Sequence, residues 1–501
     1  MSPIDPATTS DENLLERYQP VTSRHELPTG LAYSVTTGYF SLLEDDTSRP
    51  EAALPRVTAN VFITSYEADL PDAAKADRPV IIIFNGGPGS SSVWLHLGLF
   101  GPWRVDNSAG PRPFVPPYRL IENRETPLAY ADLVLIDPVD TGYSRTEPGE
   151  QADLYHGVDE DVAGVSEIIR LWVTRHERWT SPLFLAGESY GVLRGSKIAA
   201  RLAERHGLYL RGLILISSTL GGGSMSFSPG AILSTPAFLP TYAAVAHYHG
   251  LHPGRGLAEV VAEAEEYASG EFLSFLARGH RLPPEERARA VAKTAQLTGL
   301  SPDYVDSVDL RIDKRRYYAE LLRHRGLTVG EIDGRFTGWN PDGAGEVALH
   351  DPTDQAIRGA FGAGINHYLR HHLGYRNDLP YELISERVRP WKPPRDPFSG
   401  FDAIGALSSA LRQNAHLEVQ YHLGYYDICT PYWGAVTDLA GLQIPRSELR
   451  RIETINYESG HMIYLDETSR LREAGDIARF VARLTGQADP TGQTGQDGPA
   501  V

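Results

Sequence analysis

Short, wholly apolar runs recur along the chain: PVIIIF (79–84), ADLVLID (131–137), LFLAG (183–187) and RGLILI (211–216). A run without polar alternation suits a strand covered on both faces, as in a parallel sheet. Between the runs lie stretches with apolar residues at helical spacing, such as GVDEDVAGVSEIIRLWVTRHE (157–177) and GVLRGSKIAARL (191–202). In the second of these Arg194 and Lys197 fall between the apolar positions, which predicts a helix with a polar face. Strands that alternate with helices predict βα units. Ahead of them, LAYSVTTGYFSLL (31–43) and RVTANVFITSYEA (56–68) are rich in β-branched and aromatic residues and read as antiparallel strands that open the sheet.

From about residue 222 to 405 the strand signal gives way to charged helical stretches such as LAEVVAEAEEYASGEFLSFLARG, PEERARAVAKTAQLTG and KRRYYAELLRHRG. The expectation is a sheet domain formed by 26–222 and 405–486, with a largely helical cap, 223–404, inserted between them. His371 and His372 lie in the cap; adjacent positions on a helix face different ways, so they read as surface or packing residues rather than metal ligands. Strand pattern resumes in LEVQYHLGYYDICTPYWG (417–434) and RIETINYESGHMIYLD (451–466), and a closing helix is expected over 468–485. Residues 1–25, dominated by Pro, Ser, Thr and acidic residues, predict a flexible lead-in, and 487–501 a disordered tail.

The run ending at Gly187 leads into GESYG and then into a helix, so Ser189 stands on a strand-to-helix turn. This is the nucleophile elbow G-x-S-x-G, in which bulk at either glycine, Gly187 or Gly191, would clash with the neighbouring backbone. NGGPGSSS (85–92) ends another buried strand and offers exposed backbone N–H groups, as an oxyanion site requires. A phosphate cradle is the other use of such a loop, but no lysine follows in P-loop register and no G-x-G-x-x-G forms. A serine hydroxyl needs a base, and a histidine serves best when a carboxylate fixes its tautomer. Asp427 and His461 each follow a late strand, and the order Ser189, Asp427, His461 is that of an α/β-hydrolase. Asp137 and Glu458 compete for the acid's place; Asp137 precedes the serine, and Glu458 shares the histidine's own loop. The expected fold is therefore an α/β-hydrolase: a mostly parallel sheet flanked by helices, with the inserted cap.

Composition narrows the partners. With 41% hydrophobic and 22% charged residues most of the chain should fold, and a net charge of −17 disfavours nucleic acid and anionic lipid. The first thirty residues lack a basic start followed by an apolar run, so no secretory leader is expected. No apolar stretch approaches the roughly 18 residues that span a membrane. A single cysteine, Cys429, excludes an internal disulfide and a multi-thiolate metal site. The chain is expected to be cytoplasmic, without cofactor or metal.

NGGPGSSS, GESYG, and the pair YYDICTP and ESGHMIYLD together resemble the serine carboxypeptidase family, peptidase family S10, with DPVDTGYS (137–144) as a further similar segment. The likeness covers roughly 30–222 and 405–485. It implies Ser189 as nucleophile, His461 as general base and Asp427 as the carboxylate that orients it. The N–H groups of Gly87 and Tyr190 would form the oxyanion hole. Asn85, Gly86 and Glu188 would bind a peptide's terminal carboxylate, which one of the two carboxyl groups must meet protonated. The chain departs from the family in having Ser90 in place of a cysteine, Leu99 where a further acid stands, and Asp140 where an uncharged residue is usual. Asp140 is thereby expected to attract a cationic substrate group. The implied activity is release of C-terminal residues from peptides. Acyl transfer and small-molecule amide or ester hydrolysis use the same chemistry and stay open. An inactive peptide-binding relative would lack a triad member, and all three are present.

Overall fold

The computed structural model describes residues 19–44, 56–107, 110–151, 153–392 and 402–488. Nine strands make one continuous path through the main sheet: β1 (Val21–Glu26), β2 (Ala32–Glu44), β3 (Arg56–Ala68), β4 (Val80–Phe84), β5 (Asp132–Ile136), β6 (Leu183–Glu188), β7 (Gly212–Ile216), β8 (Glu418–Gly424) and β9 (Ile452–Tyr457). Their order is β1-β2-β3-β5-β4-β6-β7-β8-β9, and the two-residue strand Arg145–Thr146 pairs with β3 off this path. Pairing is antiparallel from β1 through β3 to β5, and parallel from β5 onward. The crossing of β4 and β5, with antiparallel strands on one side only, is the sheet of an α/β-hydrolase.

The apolar runs lack alternation because both faces are covered. Val80, Ile82 and Phe84 enter one core with helices α1 (Val158–Arg175) and α2 (Tyr190–Arg201), while Ile81 and Ile83 enter the other. Between β7 and β8 the chain forms α3 (Ser234–Tyr248), α4 (Leu257–Ser269), α5 (Pro284–Thr298), a small hairpin of Leu327–Val329 and Thr337–Trp339, and α6 (Pro352–His367). After them come α7 (Ile404–Gln413) and the closing helix α8 (Glu467–Thr485).

The inserted stretch is more than a helical cap. Residues of α3, α4 and α5 join the first core, but α6 and its continuation to Tyr375 pack in the second core with α8, on the opposite face of the sheet. The expected lead-in is also shorter than 1–25, because Val21–Glu26 pairs with β2; residues 1–18 lie outside the described residues, as does the tail from 489. Arg194 departs from its expected solvent face: it is 1% exposed, for a reason given below.

At the amino ends of the strands, Asp132 is 1% exposed and holds two buried arginines. Arg78 Nε donates to Oδ1 at 2.7 Å and Arg178 Nη1 to Oδ2 at 2.5 Å, while the Ala68 amide donates to Oδ1 at 3.0 Å. Removing one member of such a group leaves buried charge uncompensated. Asp132→Ala is therefore expected to lower the free energy of unfolding by about 3–5 kcal/mol, read from denaturant titration. A loss below about 1 kcal/mol would refute this account of the cluster.

Candidate active site

The carboxyl ends of the parallel strands carry the chemistry. Ser189 follows β6 directly and caps α2 with φ 61° and ψ −129°, a region that residues with a Cβ seldom occupy. The turn is held by its Ser189 amide, which donates to the Ile216 carbonyl of β7 at 2.9 Å. Its glycines are required by contact. A Cβ on Gly187 would lie 2.3 Å from the Gly191 carbonyl oxygen, and one on Gly86 would lie 2.4 Å from the Tyr190 nitrogen. The Gly-rich loop thus presses on the elbow backbone, bringing Gly87 beside the start of α2. Gly87 itself has φ 103°.

That loop is anchored from three sides. Arg194 of α2 donates to the Asn85 carbonyl at 2.5 Å and pairs with Asp161 of α1 through Nε, 2.7 Å from Oδ2. This explains why Arg194 lies inside: it ties the helix after Ser189 to the loop. Asp137 accepts from the Ser92 amide and hydroxyl at 2.8 and 2.7 Å. The inserted segment supplies the third side, as Ser385 N donates to Gly89 O at 2.8 Å and Ser91 N to Leu383 O at 3.1 Å. Trp391 of this segment meets the Tyr190 ring edge-on, with centroids 5.6 Å apart.

Asp427 and His461 follow β8 and β9. His461 Nδ1 lies 2.8 Å from Asp427 Oδ2, and the two are 5% and 1% exposed. Burial alone would lower the histidine's pKa; the Asp427 carboxylate beside it, with Glu188 further off, outweighs burial and holds it above the usual value. Thr430, which the sequence reading passed over, completes the pair: its amide donates to Asp427 Oδ1 at 2.7 Å, and its hydroxyl lies 2.8 Å from Asp427 Oδ2, 3.1 Å from His461 Nδ1 and 3.1 Å from the Ser217 carbonyl. With Nδ1 so committed, Nε2 is the ring nitrogen left for a hydroxyl. The rival acids are elsewhere: Asp137 is bonded to Ser92 of the Gly-rich loop, and Glu458 is exposed.

Glu188 is 2% exposed and accepts from Asn85 Nδ2 at 3.0 Å, while Asn85 Oδ1 accepts from the Leu95 amide at 3.1 Å. Glu188 also faces the buried Tyr464 hydroxyl, and burial, opposed by His461 and by that hydroxyl, pushes its pKa up to about 7. Leu99 is fully buried in the second core. Asp140 is 5% exposed. Its Oδ1 accepts from the Thr146 amide at 3.0 Å, and Oδ2 lies 2.8 Å from both the Thr146 hydroxyl and His156 Nε2. Both of its oxygens are engaged within the protein, which goes against the expectation that it draws a cationic group.

Cys429 offers its sulfur within 4.8 Å of ligand atoms of Asp427 and His461, but those atoms are used by the Asp427–His461–Thr430 contacts. Lys314 Nζ caps the Cys429 carbonyl at 2.9 Å and pairs with Glu331 at 2.8 Å. Among the described residues no helix is long and apolar enough to cross a membrane.

The sheet order and the serine on its strained turn define a hydrolase of the α/β-hydrolase fold. Residues 57–220 match the family model for serine carboxypeptidase, Peptidase S10. Over 121 residues it is 34% identical to a pheromone-processing carboxypeptidase of Saccharomyces cerevisiae, covering 23% of this chain and 15% of that protein. Over 142 residues it is 30% identical to the pheromone-processing carboxypeptidase of Yarrowia lipolytica, covering 28% and 21%. The chain thus spans about a fifth or less of the length of these relatives. Among solved structures, it is similar to a proline iminopeptidase of Mycobacterium smegmatis at 14% identity and TM-score 0.35, over 85% of this chain and 96% of that one. A peroxisomal alpha-beta-hydrolase of Saccharomyces cerevisiae matches at 11% identity and TM-score 0.34, over 96% and 94%. Both likenesses are too distant to bear on function.

Cys429 is half-buried; burial, opposed by Lys314, raises its pKa, so little thiolate forms near neutral pH. In the native protein at pH 8, iodoacetamide should modify Cys429 at least about 10-fold more slowly than in the denatured chain. Equal rates by mass spectrometry would show that the thiol is not shielded.

Proposed function

We propose that this protein is a serine-type carboxypeptidase that releases C-terminal residues from peptides through an acyl-enzyme on Ser189. The observation that carries the reading is the convergence, at one end of the sheet, of the Ser189 elbow, the His461–Asp427 pair at 2.8 Å and the buried Glu188–Asn85 pair at 3.0 Å. His461 takes the Ser189 proton as the hydroxyl attacks the scissile carbonyl, while Asp427, steadied by Thr430, holds the imidazolium. The N–H groups of Gly87 and Tyr190 receive the oxyanion. His461 then gives its proton to the departing amine, and water, deprotonated by the same base, frees the acyl group and restores the serine.

Asn85, Gly86 and Glu188 receive the terminal carboxylate. A Glu188 with a pKa of about 7 is neutral in acid and donates a hydrogen bond to that carboxylate; above pH 7 it is an anion and repels it. The substrate is a peptide or a small acyl compound, and the single cysteine accords with a reducing compartment, the cytoplasm. Hydrolysis of small amides or esters through the same intermediate, or its transfer to an added amine or alcohol, is the second reading; Leu99, buried where the resemblance implies a further acid for the carboxylate site, favours a substrate without a free carboxylate.

The test is mass spectrometry of free-acid peptides and their C-terminally amidated copies at pH 5 and pH 7, with Ser189→Ala as control. Stepwise trimming of the free acids alone, absent in the control, is expected. Cleavage confined to amides or esters would replace the carboxypeptidase reading with the broader hydrolase one. For free acids KM should rise as pH passes 7 while an ester's KM stays level, and Glu188→Gln should flatten the rise. Parallel KM profiles for both substrates would exclude Glu188 as the carboxylate's partner.

A further inference from the structure

The loops carrying Asp427 and His461 are joined by a third piece of chain that belongs to neither. Residues Ile332–Arg335, at the turn of the small hairpin in the inserted stretch, run between them. The His461 amide donates to the Ile332 carbonyl at 2.7 Å, and the Gly334 amide donates to the carbonyl of Tyr426, the residue before Asp427, at 2.9 Å. One segment of four residues therefore bonds to the backbone on both sides of the acid–base pair.

Its side chains tighten the same grip. Arg335 Nη1 donates to the Glu458 carbonyl at 2.9 Å and to Asp466 at 3.2 Å; Nη2 donates to the Ser459 hydroxyl at 3.0 Å and to Asp333 Oδ2 at 2.7 Å. The guanidinium also lies 5.2 Å from the centre of the Tyr426 ring. Asp333 is fully buried, and Gly460 rests on it so closely that a Cβ there would lie 2.6 Å from the Asp333 Cα. The segment is fixed from behind, where Asp351 accepts from the Ile332 amide at 3.1 Å and His249 Nε2 meets the Gly334 carbonyl at 2.8 Å.

We infer that Ile332–Arg335 is a positioning clasp, supplied by the insertion, that sets His461 against Asp427 and so controls the rate of attack by Ser189. The inference rests on the reading of His461 as the base. Arg335 and Asp333 do not touch substrate; they act through the loop they hold. Bonds from one rigid segment to both loops fix their separation, adding to the direct bonds between the loops, which include Tyr426 N to Ser459 O at 2.9 Å, the side-chain pair itself and the Thr430 hydroxyl 3.1 Å from His461 Nδ1. Misplacement by about 1 Å is enough to cost roughly 100-fold in rate.

The experiment uses the full chain with Asp333→Asn and Arg335→Met combined, which leaves no lone buried charge at the clasp. In the folded variant kcat for an ester substrate should fall about 100-fold with KM within about twofold, and labelling of Ser189 by a fluorophosphonate should slow in parallel. Arg335→Lys, which keeps the charge but cannot fork, should recover part of the loss. Parental kcat and labelling in the folded double variant, or a change in KM alone, overturns the clasp. Should the double variant not fold, Ser459→Ala gives the same readout: a loss of roughly 3- to 10-fold in kcat supports the clasp and parental kcat overturns it. The downfield proton on His461 Nδ1, followed by NMR, reads the pair without substrate. It should broaden in the variants, and its persistence unchanged counts against the clasp. Failure of the parent protein to label sinks the reading of His461 and Ser189 instead, and leaves the NMR test of the clasp standing.

Discussion

The approach of Gly86 to the amide of Tyr190 is the contact on which the site depends. It sets the depth of the Gly-rich loop against the elbow, and hence where the N–H groups of Gly87 and Tyr190 stand relative to Ser189. The elbow would not hold this distance alone, because a serine at φ 61° sits in a conformation that a free chain leaves. The restoring forces come from outside the two loops. Arg194 and Asp161 pin Asn85, Asp137 pins Ser92, and the inserted segment at 383–385 closes the outer side. Much of the polar chemistry in this protein is therefore spent on holding backbone in place, with few groups left to meet a substrate.

Electrostatics divides the carboxyl groups near Ser189 by what surrounds them. Asp427 receives hydrogen bonds from the Thr430 amide and from His461, and it stabilises positive charge on the imidazole ring. Glu188 receives one side-chain amide and is otherwise closed off from water, so its proton stays on until about neutral pH. Asp140, read from the sequence as an added charge beside the site, is consumed by Thr146 and His156. Charge counted along a sequence says nothing of which oxygens are already taken.

What could be read in the chain was whatever local pattern dictates. Unalternated runs located β4 to β7 to within a residue or two, because burial on both faces leaves no room for polar positions. The elbow and the Gly-rich loop were legible because each needs particular residue types at short spacing, and the Asp427–His461 contact because each residue follows a late strand. Arg194, Thr430 and Arg335 were not. Each serves a partner distant in sequence, and an arginine between apolar helix positions looks the same whether it faces solvent or a buried carbonyl. The path of the insertion was hidden for the same reason: the periodicity of α6 predicts a helix but not which face of the sheet receives it.

The packing of α6 with α8 bears on how the molecule assembles. The insertion contributes to both cores, and its segment at 383–385 and the clasp at 332–335 bond to loops on either side of it in sequence. It is therefore not a module that can form after the sheet is complete. Each core closes only when chain separated by hundreds of residues has met, as in the contact between Tyr66 and Tyr368. Loop closure on that scale is costly in entropy before any contact repays it, so folding should be slow and cooperative, with the sheet and its insertion gained and lost together.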